Sequence, residues 1–343
     1  MLEHYRDYFW WGNLRPCKIL NALRYLAAKR RPAAAAPYLP PFYMFETGNV
    51  CQLSCAFCSQ GNFRPDEQPQ RRLMSLATFE ALLHRIRDSA LILDLFKHGE
   101  PLLNPELPEI VALAYREGVR CRINSSLNAR LTPGFVDRLC RSGLYKIICA
   151  IDGVTQESYQ RYRRDGNLRL ALDNAARILH QRSALGRRHP RMAFRMLVFE
   201  WNHHQVEDAR LLAKQMGFDE FRADEGMFVM DGRPVRWNRK ARRWSEAVWP
   251  LASVGIAPNE PAGTTKSPQP CPSLLSHFVV HADGRAAVCC HSHREDWLHE
   301  SLLETPLETI WNSPRYRASR AYTLGIHSAR DDGFPQCRQC PWF

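Results

Sequence analysis

The chain has 343 residues and a mass of 39.7 kDa, which suits a core domain of about 200 residues with additions rather than one small domain or three. With 45% hydrophobic and 24% charged residues, the composition is globular and excludes a disordered or fibrous chain. The net charge of +12 speaks to solubility and nonspecific binding, and points to no specific nucleic-acid partner.

No apolar run approaches the roughly 20 residues needed to cross a bilayer. The opening MLEHYRDYFWW lacks the basic-then-apolar order of a secretory signal, so a cytoplasmic location is expected. Residues 1–42 read as an aromatic, basic extension. Tyr5, Tyr8, Phe9, Trp10 and Trp11 precede Ile19, Leu20, Leu23 and Leu26 at roughly helical spacing, and Lys29, Arg30, Arg31 and a Pro/Ala linker follow. Such a segment docks on its own domain or makes a weak contact with a membrane surface.

Residues 43–230 alternate short apolar runs with helical patterns. The runs are Tyr43–Glu46, Leu91–Phe96, Arg120–Asn124, Lys146–Ile151, Met192–Phe199 and Glu220–Ala223. Between them Leu76–Ile86, Leu107–Tyr115, Pro133–Cys140, Leu168–Leu179 and Val206–Met216 carry the period of amphipathic helices. Six β-α units predict an α/β fold with a parallel sheet, whose ligand site lies at the C-terminal ends of the strands. Residues 231–270 lose the period. They interleave Arg233, Arg236, Arg239, Lys240, Arg242 and Arg243 with Trp237, Trp244 and Trp249, and read as a linker or lid. Residues 271–343 hold five of the twelve cysteines and read as a small metal-stapled module.

Clustered cysteines in a reducing compartment read as metal ligands or redox groups. Cys51, Cys55 and Cys58 follow the first predicted strand with spacing C-x₃-C-x₂-C. Three thiolates with no nearby fourth Cys or His suit a four-iron cluster with one iron lacking a protein ligand. A structural zinc site would need a fourth ligand. At the other end, Asp283-Gly284 marks a hairpin that would bring Cys271 and Cys289 together, and Cys337 and Cys340 supply a second chelating pair. By spacing alone these four thiolates suit zinc or an iron–sulfur cluster equally.

At Cys51–Cys58, with Phe57 in the aromatic place, the sequence resembles the radical S-adenosylmethionine (SAM) superfamily. The resemblance implies a partial (β/α)6 TIM-type barrel and a [4Fe–4S] cluster that binds SAM through its open iron. It further implies one-electron cleavage of SAM to a 5′-deoxyadenosyl radical that abstracts hydrogen from a substrate. The electron would come from a reductant such as flavodoxin or ferredoxin. Lys97-His98-Gly99-Glu100-Pro101 resembles the family's Gly-Gly-Glu-Pro motif with His in the first place, which makes Glu100 the expected contact to the SAM ammonium. Asn124 and Ser126 stand where the family places polar residues near SAM. Cys149-Ala150-Ile151-Asp152-Gly153 resembles Ser-x-Asp-Gly with Ala150 for the Ser. Arg163 and Asn202 follow in the positions of further SAM contacts.

The C-terminal segment, through Cys271, Gly284-x₄-Cys289, Ile310-Trp311-Asn312 and Cys337-x₂-Cys340, resembles the SPASM/Twitch iron–sulfur domain. The resemblance assigns Cys271, Cys289, Cys337 and Cys340 to one auxiliary [4Fe–4S] cluster, with Cys290 as the alternative to Cys289. Five cysteines are too few for the two clusters of a full SPASM domain. A fully ligated cluster suits electron transfer, hence net oxidation of a substrate radical. Asp224, Glu225 and Arg195 at strand ends are candidate catalytic groups, with Arg222 as an anion anchor. The expected reaction is dehydrogenation or epimerisation of a small polar molecule such as a sugar or aminocyclitol. The alternatives are a maturase that cross-links a ribosomal peptide and a nonenzymatic iron–sulfur module.

Overall fold

The computed structural model describes residues 15–56, 58, 70–225, 227–230, 233–238, 243–246, 270–289 and 298–326. Helix α1 spans Pro16–Lys29 and opens on a proline at its first turn, where the missing N–H costs no hydrogen bond. It docks, but not through the apolar stripe. The buried face is Lys18, Asn21, Ala22 and Tyr25, whereas Ile19, Leu20 and Leu23 point outward at 40%, 50% and 58% exposure. The reason is polar pairing. The Asn21 amide donates to Leu39 O and accepts from Leu39 N, both at 2.8 Å, and the Tyr25 ring meets Tyr38 edge-on at 5.3 Å.

The six apolar runs form β1 (Phe42–Phe45), β2 (Ile92–Asp94), β3 (Arg120–Ser125), β4 (Lys146–Ala150), β5 (Arg191–Val198) and β6 (Glu220–Glu225). The helical patterns form α2 (Leu76–Ile86), α3 (Leu107–Arg116), α4 (Pro133–Arg141), α6 (Leu168–Ala184) and α7 (Val206–Met216). A further helix, α5 (Gln156–Tyr162), is too short for its period to register in the sequence. Local chemistry sets the boundaries. Ser75, Thr132, Thr155 and Asn167 accept backbone N–H groups at the starts of α2, α4, α5 and α6. Gly217 ends α7 at φ +82°, a left-handed cap that a side chain would strain.

Strands β1 to β6 pair parallel in sequence order. Helix residues such as Phe79, Leu82, Leu83 and Ile86 of α2 are buried, as are Cys121, Ile123 and Ser125 on one face of β3. The alternate residues of β3, Arg120, Arg122 and Asn124, are only half-buried on its other face. There Arg122 and Asp94 form a two-pronged ion pair at 2.6 and 2.7 Å, and Glu220 takes both Lys146 and Arg191.

Strand β7 (Met227–Met230) forms a three-stranded antiparallel sheet with β8 (Arg233–Asn238) and β9 (Arg243–Glu246), both in the segment expected to be a linker or lid, whose residues 247–269 lie outside the described residues. After α8 (Pro272–Ser276), β10 (His277–Val280) pairs parallel with β1. The antiparallel β11 (Arg285–Ala287) and β12 (Leu298–Ser301) extend the same sheet, giving the order β12-β11-β10-β1-β2-β3-β4-β5-β6. Among the described residues the parallel sheet does not close on itself, and the C-terminal module begins as its continuation. Helices α9 (Leu307–Trp311) and α10 (Pro314–Thr323) complete the described chain. Asn312 just past α9 clamps Ala36 through both its backbone groups, and the buried Arg320 stacks 4.0 Å from the Trp311 ring centre while donating to Leu274 O and Ala34 O.

Candidate active site at the barrel mouth

The first cysteine cluster lies on the loop after β1. Asn49 fixes this loop by accepting from Arg72 N and donating to Gln70 O, both at 2.8 Å. The far side is held by the turn after α5, where Ala56 N donates to Tyr162 O at 2.9 Å and Ser54 pairs with Asp165. Cys55 is 4% exposed, and Cys51 and Cys58 are half-buried. Burial pushes the Cys51 thiol up to about 12, with the Glu100 carboxylate and the Cys55 and Cys58 sulfurs adding to the rise and the Leu53 N–H opposing it. Cys55 is raised for the same first reason, against the opposing pull of Arg163. Thiols carried on one loop, with burial holding the Cys51 and Cys55 protons on, are a donor set that a metal centre would deprotonate on binding. They fit a [4Fe–4S] cluster with one open iron.

Glu100 stands beside that loop because of Gly99. At φ +75°, a Cβ on Gly99 would sit 2.3 Å from Gly48 O and 2.8 Å from Val50 O, so only glycine lets the two loops touch. Glu100 N then donates to Val50 O at 2.8 Å. The Glu100 carboxylate is 4% exposed and held by three donors: Leu102 N at 3.1 Å, Ser126 N at 2.9 Å and Ser126 Oγ at 2.8 Å. An ionised carboxylate has about four acceptor positions. The remaining capacity suits one ammonium. Ser126 thus positions Glu100, and Asn124 lies half-buried on the same strand face as Arg122.

At the end of β4, Asp152 is wholly buried and receives Arg163 Nε and Leu197 N, each at 2.6 Å. Arg163 lies over the Tyr162 ring, with Nη1 3.7 Å from Cys55 Sγ. Its main partner is therefore Asp152, and its free edge faces the cysteine loop. Asn202 has both amide atoms committed to backbone: it donates to Asp152 O and Leu197 O at 2.9 Å and accepts from Phe199 N at 2.6 Å. That geometry makes it a cap for the β5 exit.

Asp224 of β6 accepts from Arg195 Nε at 2.7 Å and from Arg222 at 3.3 Å. Burial raises its pKa, but the two guanidiniums outweigh this and hold it below the usual carboxylate range. A carboxylate so held is a weak general base. Arg195 and Arg222 make the trio a cationic platform instead. The Glu225 side chain, Phe57, Cys290, Cys337 and Cys340 lie outside the described residues. The predicted hairpin forms, with Val280 opposite Ala286 and Gly284 turning at φ +88°. Cys271 caps α8 and Cys289 follows β11, both half-buried.

Sequence reasoning passed over one group. Glu46 and His281, with His98, meet where β1, β10 and the loop after β2 end. The signal was present: a charged residue closes the apolar run Phe42–Phe45, and His98 departs from the motif it otherwise resembles.

Residues 45–213 match the model of the radical SAM superfamily, and residues 271–341 match SPASM, an iron–sulfur cluster-binding domain. A PqqA peptide cyclase of Xanthomonas axonopodis pv. citri (strain 306) is 25% identical over 296 residues, 80% of this chain and 75% of that protein. An AdoMet-dependent heme synthase of Nitratidesulfovibrio vulgaris is 25% identical over 119 residues, 35% of this chain and 31% of the synthase. In fold, the chain resembles SuiB of Streptococcus suis, with a TM-score of 0.61 at 12% identity, over 89% of this chain and 72% of SuiB. SuiB bound to its precursor peptide SuiA gives a TM-score of 0.59.

Proposed function

The chain belongs to the radical SAM superfamily and carries a SPASM iron–sulfur domain, and from that premise we propose that it modifies a peptide, closing a cross-link in a ribosomally made substrate. The single observation that carries this reading is the 296-residue match to a PqqA peptide cyclase, which is longer than the barrel segment alone. Dehydrogenation of a sugar or aminocyclitol, the first expectation from the sequence, has no such support among these relatives.

When bound, the cluster and SAM supply one-electron cleavage of SAM and hence hydrogen-atom abstraction. The chain's own residues do the rest. Cys51, Cys55 and Cys58 would hold the iron, and Glu100, fixed by Ser126 and Leu102, would take the SAM ammonium. Arg163 keeps a positive edge beside Cys55, offsetting negative charge on the loop. Arg195 and Arg222 present donors suited to the carbonyl or carboxylate oxygens of a peptide. A small one-electron donor of the flavodoxin or ferredoxin kind serves as reductant. No described helix is long and apolar enough to cross a membrane.

The test incubates anaerobically reconstituted enzyme with SAM, dithionite and the short peptides encoded beside its gene. A peptide that loses the mass of two hydrogens, in step with 5′-deoxyadenosine release, is the expected result. Turnover of a panel of sugars and aminocyclitols with every peptide unchanged would return the small-molecule reading.

A further inference from the structure

We propose that Glu46, His98 and His281 form a binding site for a single divalent metal ion of the zinc or ferrous class, with no cysteine among its ligands. The sheet order β10-β1-β2 sets the three residues side by side at the C-terminal edge of neighbouring parallel strands. Glu46 follows β1 directly, His281 follows β10 directly, and His98 lies on the loop after β2. Glu46 Oε1 is 3.1 Å from His98 Nδ1, and Glu46 Oε2 is 3.4 Å from His281 Nδ1. The three donor atoms all lie within 4.8 Å of one another. Ligands about 2.0–2.2 Å from one tetrahedral ion stand roughly 3.3–3.5 Å apart, a spacing the two Glu46–His contacts already approach.

The chemistry of the set agrees with the spacing. Two imidazoles and one carboxylate are a ligand set of zinc and of ferrous iron, with positions left open. The side chains of Glu46, His98 and His281 are 3%, 8% and 12% exposed, so the three donors are largely shielded from solvent. Among the described residues no Lys or Arg pairs with Glu46. Within this group, two buried atoms, Glu46 Oε1 and His281 Nε2, are among the described side-chain atoms that lack a hydrogen bond. Ala282 N donates to Glu46 Oε2 at 3.1 Å and fixes the carboxylate's orientation, as outer partners of metal ligands do. Lys97 is the competing cation, with Nζ 3.4 Å from the His98 ring nitrogens. It is half-buried on a flexible stem and can turn outward as the ion enters.

Such an ion would tie β10 of the C-terminal module to β1 and to the loop that carries Glu100 two residues after His98. It would join the two modules independently of any iron–sulfur cluster. The proposal does not depend on the peptide reading.

Zinc itself is the probe. Holoenzyme reconstituted with iron and sulfide is treated with EDTA, loaded with Zn²⁺ and passed over chelating resin. The expected result is about one retained zinc per chain, with an X-ray absorption shell of nitrogen and oxygen near ~2.0–2.1 Å and no sulfur near ~2.3 Å. Glu46→Gln, which keeps the residue's shape, and His281→Ala should each cut retained zinc roughly tenfold or more at unchanged iron and sulfide content. A sulfur shell would place the zinc on cysteines and overturn the site. So would a wild type that retains no more zinc than the two variants. The wild-type spectrum decides even if one variant misfolds.

Discussion

Glu100 and Asn202 stand in positions that the resemblance treats alike, and their surroundings separate them. Glu100 keeps acceptor capacity toward the cysteine loop, whereas Asn202 has its whole amide in backbone bonds. Glu100→Ala should therefore weaken SAM binding by about 1.5–3 kcal/mol, the scale of a charge-assisted hydrogen bond, at unchanged iron content. Asn202→Ala should leave SAM affinity intact and instead lower stability by about 1–3 kcal/mol, since it orphans buried backbone groups. Equilibrium SAM binding and thermal melting, run on both variants, check the pair. Equal SAM affinity in wild type and Glu100→Ala would remove the His98–Pro101 segment from the SAM site. The residue types were legible in the sequence. Their hydrogen-bond partners were not, because those come from strands and loops far along the chain.

At the scale of elements, α1 shows how a polar contact can overrule an apolar stripe. Lys18 donates to Gly118 O at 2.9 Å and to Glu117 O at 3.4 Å, at the C-terminal end of α3. That helix end favours a cation. Burial is the larger effect and, with Arg15 adding to it, lowers the Lys18 pKa to about 8 from 10.5. Between about pH 8 and 10.5 the unfolded chain then holds a proton that the folded chain has lost. The Lys18 contribution to stability should consequently rise with pH across that window and be flat below it. Melting temperatures of wild type and Lys18→Met, compared from pH 7 to 10, check this. The difference between them should change in favour of wild type as pH rises, and a constant difference would refute the assignment. The five long helices and six parallel strands were legible because each carries its own period. The docked face of α1 was not, since Asn21 finds Leu39 and Tyr25 finds Tyr38 only once the chain has turned back.

For the whole molecule, the question is what the C-terminal module contributes. The sheet runs through it, and Asn312 and Arg320 bind the segment leading into β1. Much of its attachment therefore needs no auxiliary cluster. Reconstituted wild type should hold about eight irons per chain, and the Cys337→Ala/Cys340→Ala variant about four. If the second cluster accepts an electron from the substrate, that variant should still cleave SAM with dithionite while oxidised product falls far more than cleavage does. Product formed in step with cleavage would reduce the cluster to a staple. Iron analysis and circular dichroism on the same sample separate this outcome from unfolding, a real risk where metal binding and folding are coupled.

From the sequence alone came the order of the six parallel strands and the five long helices between them, the cysteine triad and the motif around Glu100, because periodicity and close ligand spacing are local properties. It also marked the Asp283-Gly284 hairpin, whose turn chemistry is local. Only the tertiary structure decided that β10 lies parallel to β1, that Arg163 answers Asp152, and that Asp224 sits between two guanidiniums. It alone brought Glu46 to His281, 235 positions later in the chain. Pairing between distant strands depends on sheet order, and a one-dimensional pattern carries each strand's period without saying which strand lies beside it.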